Sequence, residues 1–277
     1  MTVQEVPQIS PNTTTLDKGN AYWMARLSKE VYLTKSETNQ LPDEETILAN
    51  LKKDDDKFIS VFGVDNNSAQ AAVVEHEEYL CIAFRGTNEL ADWLDNINTL
   101  STEQLFGDFH RGFWDSVEDV WEPLNKKVKE LQAQKKRPLF VTGHSLGGAM
   151  ATVATARLVD KDEPFTSTYT FGQPRALRKA TAKIFDTKCK PKYFRFQNNN
   201  DIVTRVPSSI TGYEHIGNYL YISEEKTINK DASFWYRFQD YIDGFFAAFK
   251  TKGFDGIEDH DIQDYLDAIQ GWDFKTK

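Results

Sequence analysis

Residues 137–160 read RPLFVTGHSLGGAMATVATARLVD. The run PLFVTG is short and apolar, which predicts a buried strand. AMATVATARLV predicts a helix, and Ala149, Ala151 and Ala154 allow it to lie close against a sheet. The pentapeptide Gly143-His144-Ser145-Leu146-Gly147 joins the two and fits the pattern G-x-S-x-G. By itself that pattern is common. At a strand-to-helix turn it acquires a mechanical meaning, because the turn presents the serine hydroxyl on a sharp, strained bend. Glycines are needed on both sides, since such a bend packs against neighbouring backbone. The helix that starts after Ser145 directs unpaired N–H groups and a positive dipole end at that hydroxyl. The alternative is a structural serine in a glycine-rich turn.

The rest of the chain alternates strands and helices. Residues 20–34 carry Tyr22, Ala25, Leu27 and Val31 near helical spacing. Strands are predicted at 57–63, 69–76 and 78–84, the last two close enough to pair as a hairpin. A long helix is predicted at 113–135, with basic residues at its C-terminal end. After the 137–160 unit come a strand (TSTYTFG), a helix at about 175–187, a strand (KYFRFQ), an Asn-rich loop (NNND) and a strand (NYLYIS). This order predicts an α/β class with a mostly parallel central sheet flanked by helices. The first 17 residues are polar with two prolines and read as a flexible arm. Residues 18–277 read as one domain, with no repeat and no linker.

The net charge of −9 disfavours nucleic acid and anionic lipid as partners. No apolar run reaches the roughly 18 residues of a spanning helix. The start, MTVQEVPQIS, lacks a basic segment followed by an apolar one, so no signal peptide is visible. Cys81 lies in an apolar run and Cys189 between lysines, and nothing brings them together as a disulfide. No Cys/His cluster has metal-ligand spacing. GHSLGG lacks the Lys-Ser/Thr of a phosphate-binding loop, so neither a metal nor an organic cofactor is expected. Compartment and oligomeric state are not set by the sequence.

A serine nucleophile needs a base and an acid. In this kind of fold the partners follow the serine in the order acid, then histidine. That order disfavours His76 and His110 and leaves His215 and His260. His215 precedes a strand in GYEHIGNYLYI, whereas His260 lies in a loop before the final helix, with Asp261 as its cap, and is freer to reach a serine. His144 adjoins Ser145, but its side chain leaves the turn in another direction. For the acid, Asp201 ends the loop NNND after the strand KYFRFQ; a plain turn aspartate is the alternative.

Seven stretches, AFRGT (83–87), FHRGF (109–113), VTGHSLGGA (141–149), YTFGQPR (169–175), NNNDIVTRVP (198–207), YEHIG (213–217) and DHDIQDYL (259–266), resemble the class 3 lipase family in the family's order. The family comprises fungal secreted triacylglycerol lipases and their bacterial and plant relatives. The resemblance spans about two thirds of the chain. It implies an α/β-hydrolase fold, with Ser145 as nucleophile, Asp201 as acid and His260 as base. It also implies Thr87 as an oxyanion donor opposite the backbone N–H of Leu146; one such donor is worth roughly 3 to 4 kcal/mol. Gly143, His144 and Gly147 support the turn. One departure stands out: where fungal members carry an Asp that braces the oxyanion residue, this chain has Asn96, with Asp95 one place earlier.

An ester hydrolase for lipids needs an apolar cover near its serine. Residues 88–97, at the family's lid position, place Leu90, Trp93 and Leu94 near helical spacing. Residues 231–250 place Phe238, Phe245 and Phe249 on one helical face. The expected substrate is a lipid or small ester, at a lipid–water interface in the lipase reading. The alternatives are an esterase for short or aromatic (feruloyl-type) esters, and a binding protein on the same fold.

Overall fold

The computed structural model describes residues 6–67, 69–230 and 258–275. The chain opens with α1 (Lys18–Glu30), the hairpin β1 (Thr34–Ser36) and β2 (Asn39–Pro42), and α2 (Glu44–Lys52). There follow β3 (Phe58–Asn66), β4 (Ala69–His76), β5 (Leu80–Phe84), α3 (Leu90–Asn96), β6 (Ser101–Gln104), β7 (Gly107–His110) and α4 (Arg111–Gln134). The centre comprises β8 (Leu139–His144), α5 (Leu146–Asp160), β9 (Ser167–Phe171), β10 (Leu177–Arg178), α6 (Lys179–Cys189) and β11 (Tyr193–Asn198). Then come β12 (Tyr213–Glu214), β13 (Asn218–Ile222), β14 (Thr227–Asn229), α7 (Ile262–Gly271) and β15 (Asp273–Lys275).

Nine strands form the main sheet in the order β15-β14-β13-β11-β9-β8-β5-β4-β3. From β5 through β8, β9 and β11 to β13 every pairing is parallel. β3, β4 and β5 pair antiparallel, so the expected hairpin forms, with Glu77 and Glu78 at its turn. This is the α/β-hydrolase fold. A second sheet, β12-β10-β7-β6, is antiparallel.

Alternation along the central strands creates two cores. Leu80, Ile82 and Phe84 of β5 face the cluster that includes α4 and α5; Cys81 and Ala83 face the cluster that includes α1, α2 and α7. Period-2 side-chain direction is enough to give a fully buried strand two apolar faces. Val141 and Phe140 of β8 divide in the same way. Both cysteines are buried and free.

Of the expected arm, residues 6–17 are laid along α1. Trp23 Nε1 donates to Pro7 O at 3.0 Å, and the Asn20 side chain accepts from Ser10 N at 3.0 Å and donates to Ser10 O at 3.1 Å. Asp17 caps α1 by accepting from Asn20 N at 2.9 Å. The helix expected to reach residue 34 stops at Glu30. Its end tightens, with Tyr32 N on Lys29 O and Leu33 N on Glu30 O, and Thr34 enters the hairpin. The helix expected from about 175 starts at Lys179, because Leu177 and Arg178 pair with the second sheet. α2 and the second sheet were not expected; their strands are two to four residues long, too short to show a period.

α4 runs through Pro123. Proline has no N–H to give to the carbonyl four residues back. That carbonyl, Asp119 O, instead accepts from Asn66 Nδ2 at 2.8 Å, so the end of β3 replaces the missing helix bond. Asn66→Ala should therefore cost about 1 kcal/mol in urea unfolding. In a Pro123→Ala background, where a new backbone N–H serves Asp119 O, the same change should cost less. Equal costs in both backgrounds would show that the two are uncoupled.

Candidate active site

The carboxyl ends of four parallel strands meet at one place, the usual position of a site in an open α/β sheet. β8 delivers Ser145, β9 delivers Gly172, β11 leads to Asp201, and β5 leads to Gly86 and Thr87. Ser145 has φ 60° and ψ −132°, in the left-handed region that L-residues avoid. Ser145 N donates to Phe171 O at 2.9 Å, and Gly148 N donates to Ser145 O at 2.9 Å, so both sides of the bend are fixed. The backbones are packed too closely for side chains. A Cβ at Gly143 would lie 2.2 Å from Gly147 O, and one at Gly147 2.2 Å from Phe84 O. A Cβ at Gly86 would lie 2.8 Å from Ser145 Cβ.

Asp201 is fully buried. Its Oδ1 accepts from Val203 N at 2.9 Å. Its Oδ2 accepts from His260 Nδ1 at 2.7 Å and from the Tyr265 hydroxyl at 2.5 Å. Burial and the Asp201 carboxylate push the Tyr265 phenol far above its usual pKa, so it stays a donor. Of the two histidines left open by position in the chain, the structure brings His260 to Asp201. His215 instead donates through Nε2 to Thr204 O at 2.7 Å and is held neutral by burial.

His144 is also held neutral, by burial and by the neighbouring His260. Its Nε2 lies 2.7 Å from His260 O, a carbonyl that can only accept, so Nε2 carries the proton. Nδ1 must then accept, and it does so from the Tyr32 hydroxyl at 2.8 Å. The His144 and His260 rings lie 4.4 Å apart between centroids. Two buried polar atoms at this place have no hydrogen-bond partner among the described residues: Ser145 Oγ and His260 Nε2. One is a donor and the other, with the Nδ1 proton on Asp201, an acceptor.

Leu146 begins α5, so its N–H has no partner within the helix. Thr87 is half-buried, and its Oγ1 accepts from Glu89 N at 3.0 Å. Asn96 does not reach Thr87; its Nδ2 donates to Asp92 O, one turn back in α3, at 2.7 Å. The turn at Glu89, and not the Asn96 side chain, holds the Thr87 hydroxyl. Thr87 and Leu146 border a cleft of about 750 Å³ that also includes Trp93, His110 and Phe113. Trp93 of α3 stacks on Phe113 of α4, 6.1 Å between centroids and 26° between planes. Leu90 and Leu94 are half-buried on the same helix. Phe238, Phe245 and Phe249 lie outside the described residues.

A class 3 lipase family model matches residues 81–210. A secreted mono- and diacylglycerol lipase A of Penicillium cyclopium is 30% identical over 185 residues, covering 62% of this chain and 60% of that protein. A lipase of Rhizomucor miehei is 32% identical over 169 residues, 57% of this chain and 46% of that protein. Over these residues the chain is similar to class 3 lipases. It spans less than two thirds of the length of these relatives. The fold is shared with solved lipases: a Rhizomucor miehei triacylglyceride lipase superposes with a TM-score of 0.64 at 23% identity, over 74% of this chain and 80% of that one. A triacylglycerol lipase described as having a serine protease triad gives 0.63 at 24%, over 73% and 79%.

Three residues of the candidate site were not reached from the sequence. Tyr32 and Tyr265 lie on apolar helical patterns that conceal a hydroxyl pointed inward. Gly172 sits in YTFGQPR, where only the position after a strand hinted at its part. Its φ is 58°, and a Cβ there would lie 2.6 Å from His260 Cε1 and 2.8 Å from Asp201 Oδ2. Gly172→Ala should push the two side chains apart. Ester turnover should fall roughly 100-fold, the scale of a 1 Å misplacement, with circular dichroism unchanged. Wild-type turnover in that variant would mean that the pair tolerates the displacement.

Proposed function

We propose that this chain is a serine carboxylic ester hydrolase that acts on acylglycerols, with Ser145 as nucleophile, His260 as base and Asp201 as acid. The observation that carries the reading is the buried Asp201–His260 bond, beside a strained serine whose hydroxyl has no partner among the described residues. His260 Nε2 takes the proton from Ser145 Oγ as Oγ attacks the ester carbonyl. The negative charge that appears on the carbonyl oxygen is met by the N–H groups of Thr87 and Leu146. Asp201 keeps the Nδ1 tautomer and stabilises the imidazolium. The imidazolium returns its proton to the departing alcohol and leaves an acyl-serine. Water repeats the same steps to release the acid and restore Ser145.

The names of the relatives supply the substrate class: mono- and diacylglycerols for the Penicillium protein, and triacylglycerol for a tobacco relative that is 36% identical over 124 residues. The segment 88–97 is proposed as a cover over the cleft. Residues 231–250, with Phe238, Phe245 and Phe249, are proposed as further acyl-facing surface. The interface with lipid is part of this proposal, and no helix among the described residues is long and apolar enough to cross a membrane.

A second reading has its own observation. Among the described residues, the cleft is bordered by polar side chains such as Gln40, Arg85 and Asp115 as well as by Trp93, Ile97, Phe113 and Leu146. The polar part of that border suits esters with short or aromatic acyl groups. Hydrolysis of p-nitrophenyl esters from two to sixteen carbons, alongside emulsified triacylglycerol, separates the two. Activity on long chains and emulsion that Ser145→Ala abolishes is the expected result. Activity confined to short esters would favour the second reading, and full activity in Ser145→Ala would overturn both.

A further inference from the structure

Two loops must meet for the proposed triad to exist. One carries Asp201 after β11, the other carries His260 before α7, and the two residues are 59 positions apart. Asp259, next to His260, contacts the first loop at three consecutive residues. Its main-chain oxygen accepts from Asn198 Nδ2 at 2.9 Å. Its carboxylate Oδ2 accepts from Asn199 Nδ2 at 3.1 Å and from Asn200 N at 3.1 Å. Asn199 has φ 34°, a left-handed turn that Asn tolerates better than most residues. That turn, between the end of β11 and Asp201, lets a side-chain amide and the next backbone N–H converge on one carboxylate oxygen.

We propose that Asp259 is a positioning residue: its carboxylate clamps the Asp201 loop to the His260 loop and so sets the Asp201–His260 geometry. The proposal rests on the triad reading above. Without the carboxylate, the links that join the His260 loop to the Asp201 loop among the described residues are the Asn198 bond and the Asp201–His260 bond itself, with the Tyr265 hydroxyl of α7 bonded to Asp201 and to Asn198 N. The reaction asks the Asp201–His260 bond to persist while the imidazole gains and loses charge. His144 holds the His260 carbonyl, and the Asp259 carboxylate holds the residue before it. Its two donors are an amide and a backbone N–H, so the link works by hydrogen-bond acceptance. A neutral acceptor of the same shape should serve.

The test compares Asp259→Ala with Asp259→Asn in the full chain. In Asp259→Ala, kcat on a p-nitrophenyl ester should fall roughly 10- to 100-fold with KM unchanged, as expected for a small misplacement of the base. Asp259→Asn keeps an acceptor oxygen and should recover most of that loss. The downfield proton resonance of His260 Nδ1–H, read by NMR with no substrate, should weaken or shift in the alanine variant and return in the asparagine variant. If Asp259→Ala fails to fold, Asn199→Gly keeps the left-handed turn, removes one donor and should lower kcat in the same direction. Wild-type kcat in the alanine variant, a loss of kcat with the resonance unmoved, or an asparagine variant as slow as the alanine one would overturn the proposal. His260→Ala separates the two levels: an active His260→Ala overturns the triad reading itself, whereas an inactive one with unimpaired Asp259→Ala overturns the clamp alone.

Discussion

The backbone at Ser145 is the constraint on which the rest of this structure depends. A residue with φ 60° between a strand and a helix is unfavourable for an L-amino acid. It persists because its surroundings over-determine it. Ser145 N is bonded to β9, and Gly143 and Gly147 approach neighbouring backbone at distances no Cβ would permit. At that bend Ser145 Oγ is buried and has no hydrogen-bond partner among the described residues.

Around that bend the protein places polar groups where apolar ones would be cheaper. Asp201, His260, His144 and Tyr265 are almost wholly buried, and burying such groups is costly unless each finds a partner. Here most find two. Tyr265 donates to Asp201 and accepts from Asn198 N at 2.9 Å, which ties the carboxylate to the end of β11. His144 joins α1's C-terminal side, through Tyr32, to the main chain of His260. The network therefore spans both ends of the chain, and each donor has a fixed direction. Such preorganisation removes a reorganisation cost when charge develops.

The sequence showed much of this in outline. Alternating strands and helices were legible because the central strands are apolar throughout and the helices are long enough for a period to appear. Ser145 was legible from a local pattern. The choice between His215 and His260 was not settled by residue type, because it depends on which loop passes Asp201 and on a carbonyl of Thr204 that occupies His215. The resemblance to class 3 lipases pointed to His260, and in the structure its Nδ1 donates to Asp201. Gly172, Tyr32 and Tyr265 were hidden because close approach and inward hydroxyls are tertiary properties. The Asn66 bond that supports Pro123 was hidden for the same reason, since its two partners lie 53 positions apart. Asn96 stands where fungal members carry a bracing Asp, a departure that put the brace in doubt; in the structure the Thr87 hydroxyl accepts from the backbone N–H of Glu89.

The central claim is that the strained serine is a nucleophile activated by the buried pair. The most direct measurement is reaction of the intact protein with diethyl p-nitrophenyl phosphate, followed by mass spectrometry of the peptides. A single diethylphosphoryl adduct on Ser145, absent when His260 is replaced by Ala, is the result this account predicts. No adduct on Ser145, or an adduct that forms as fast without His260, would contradict it.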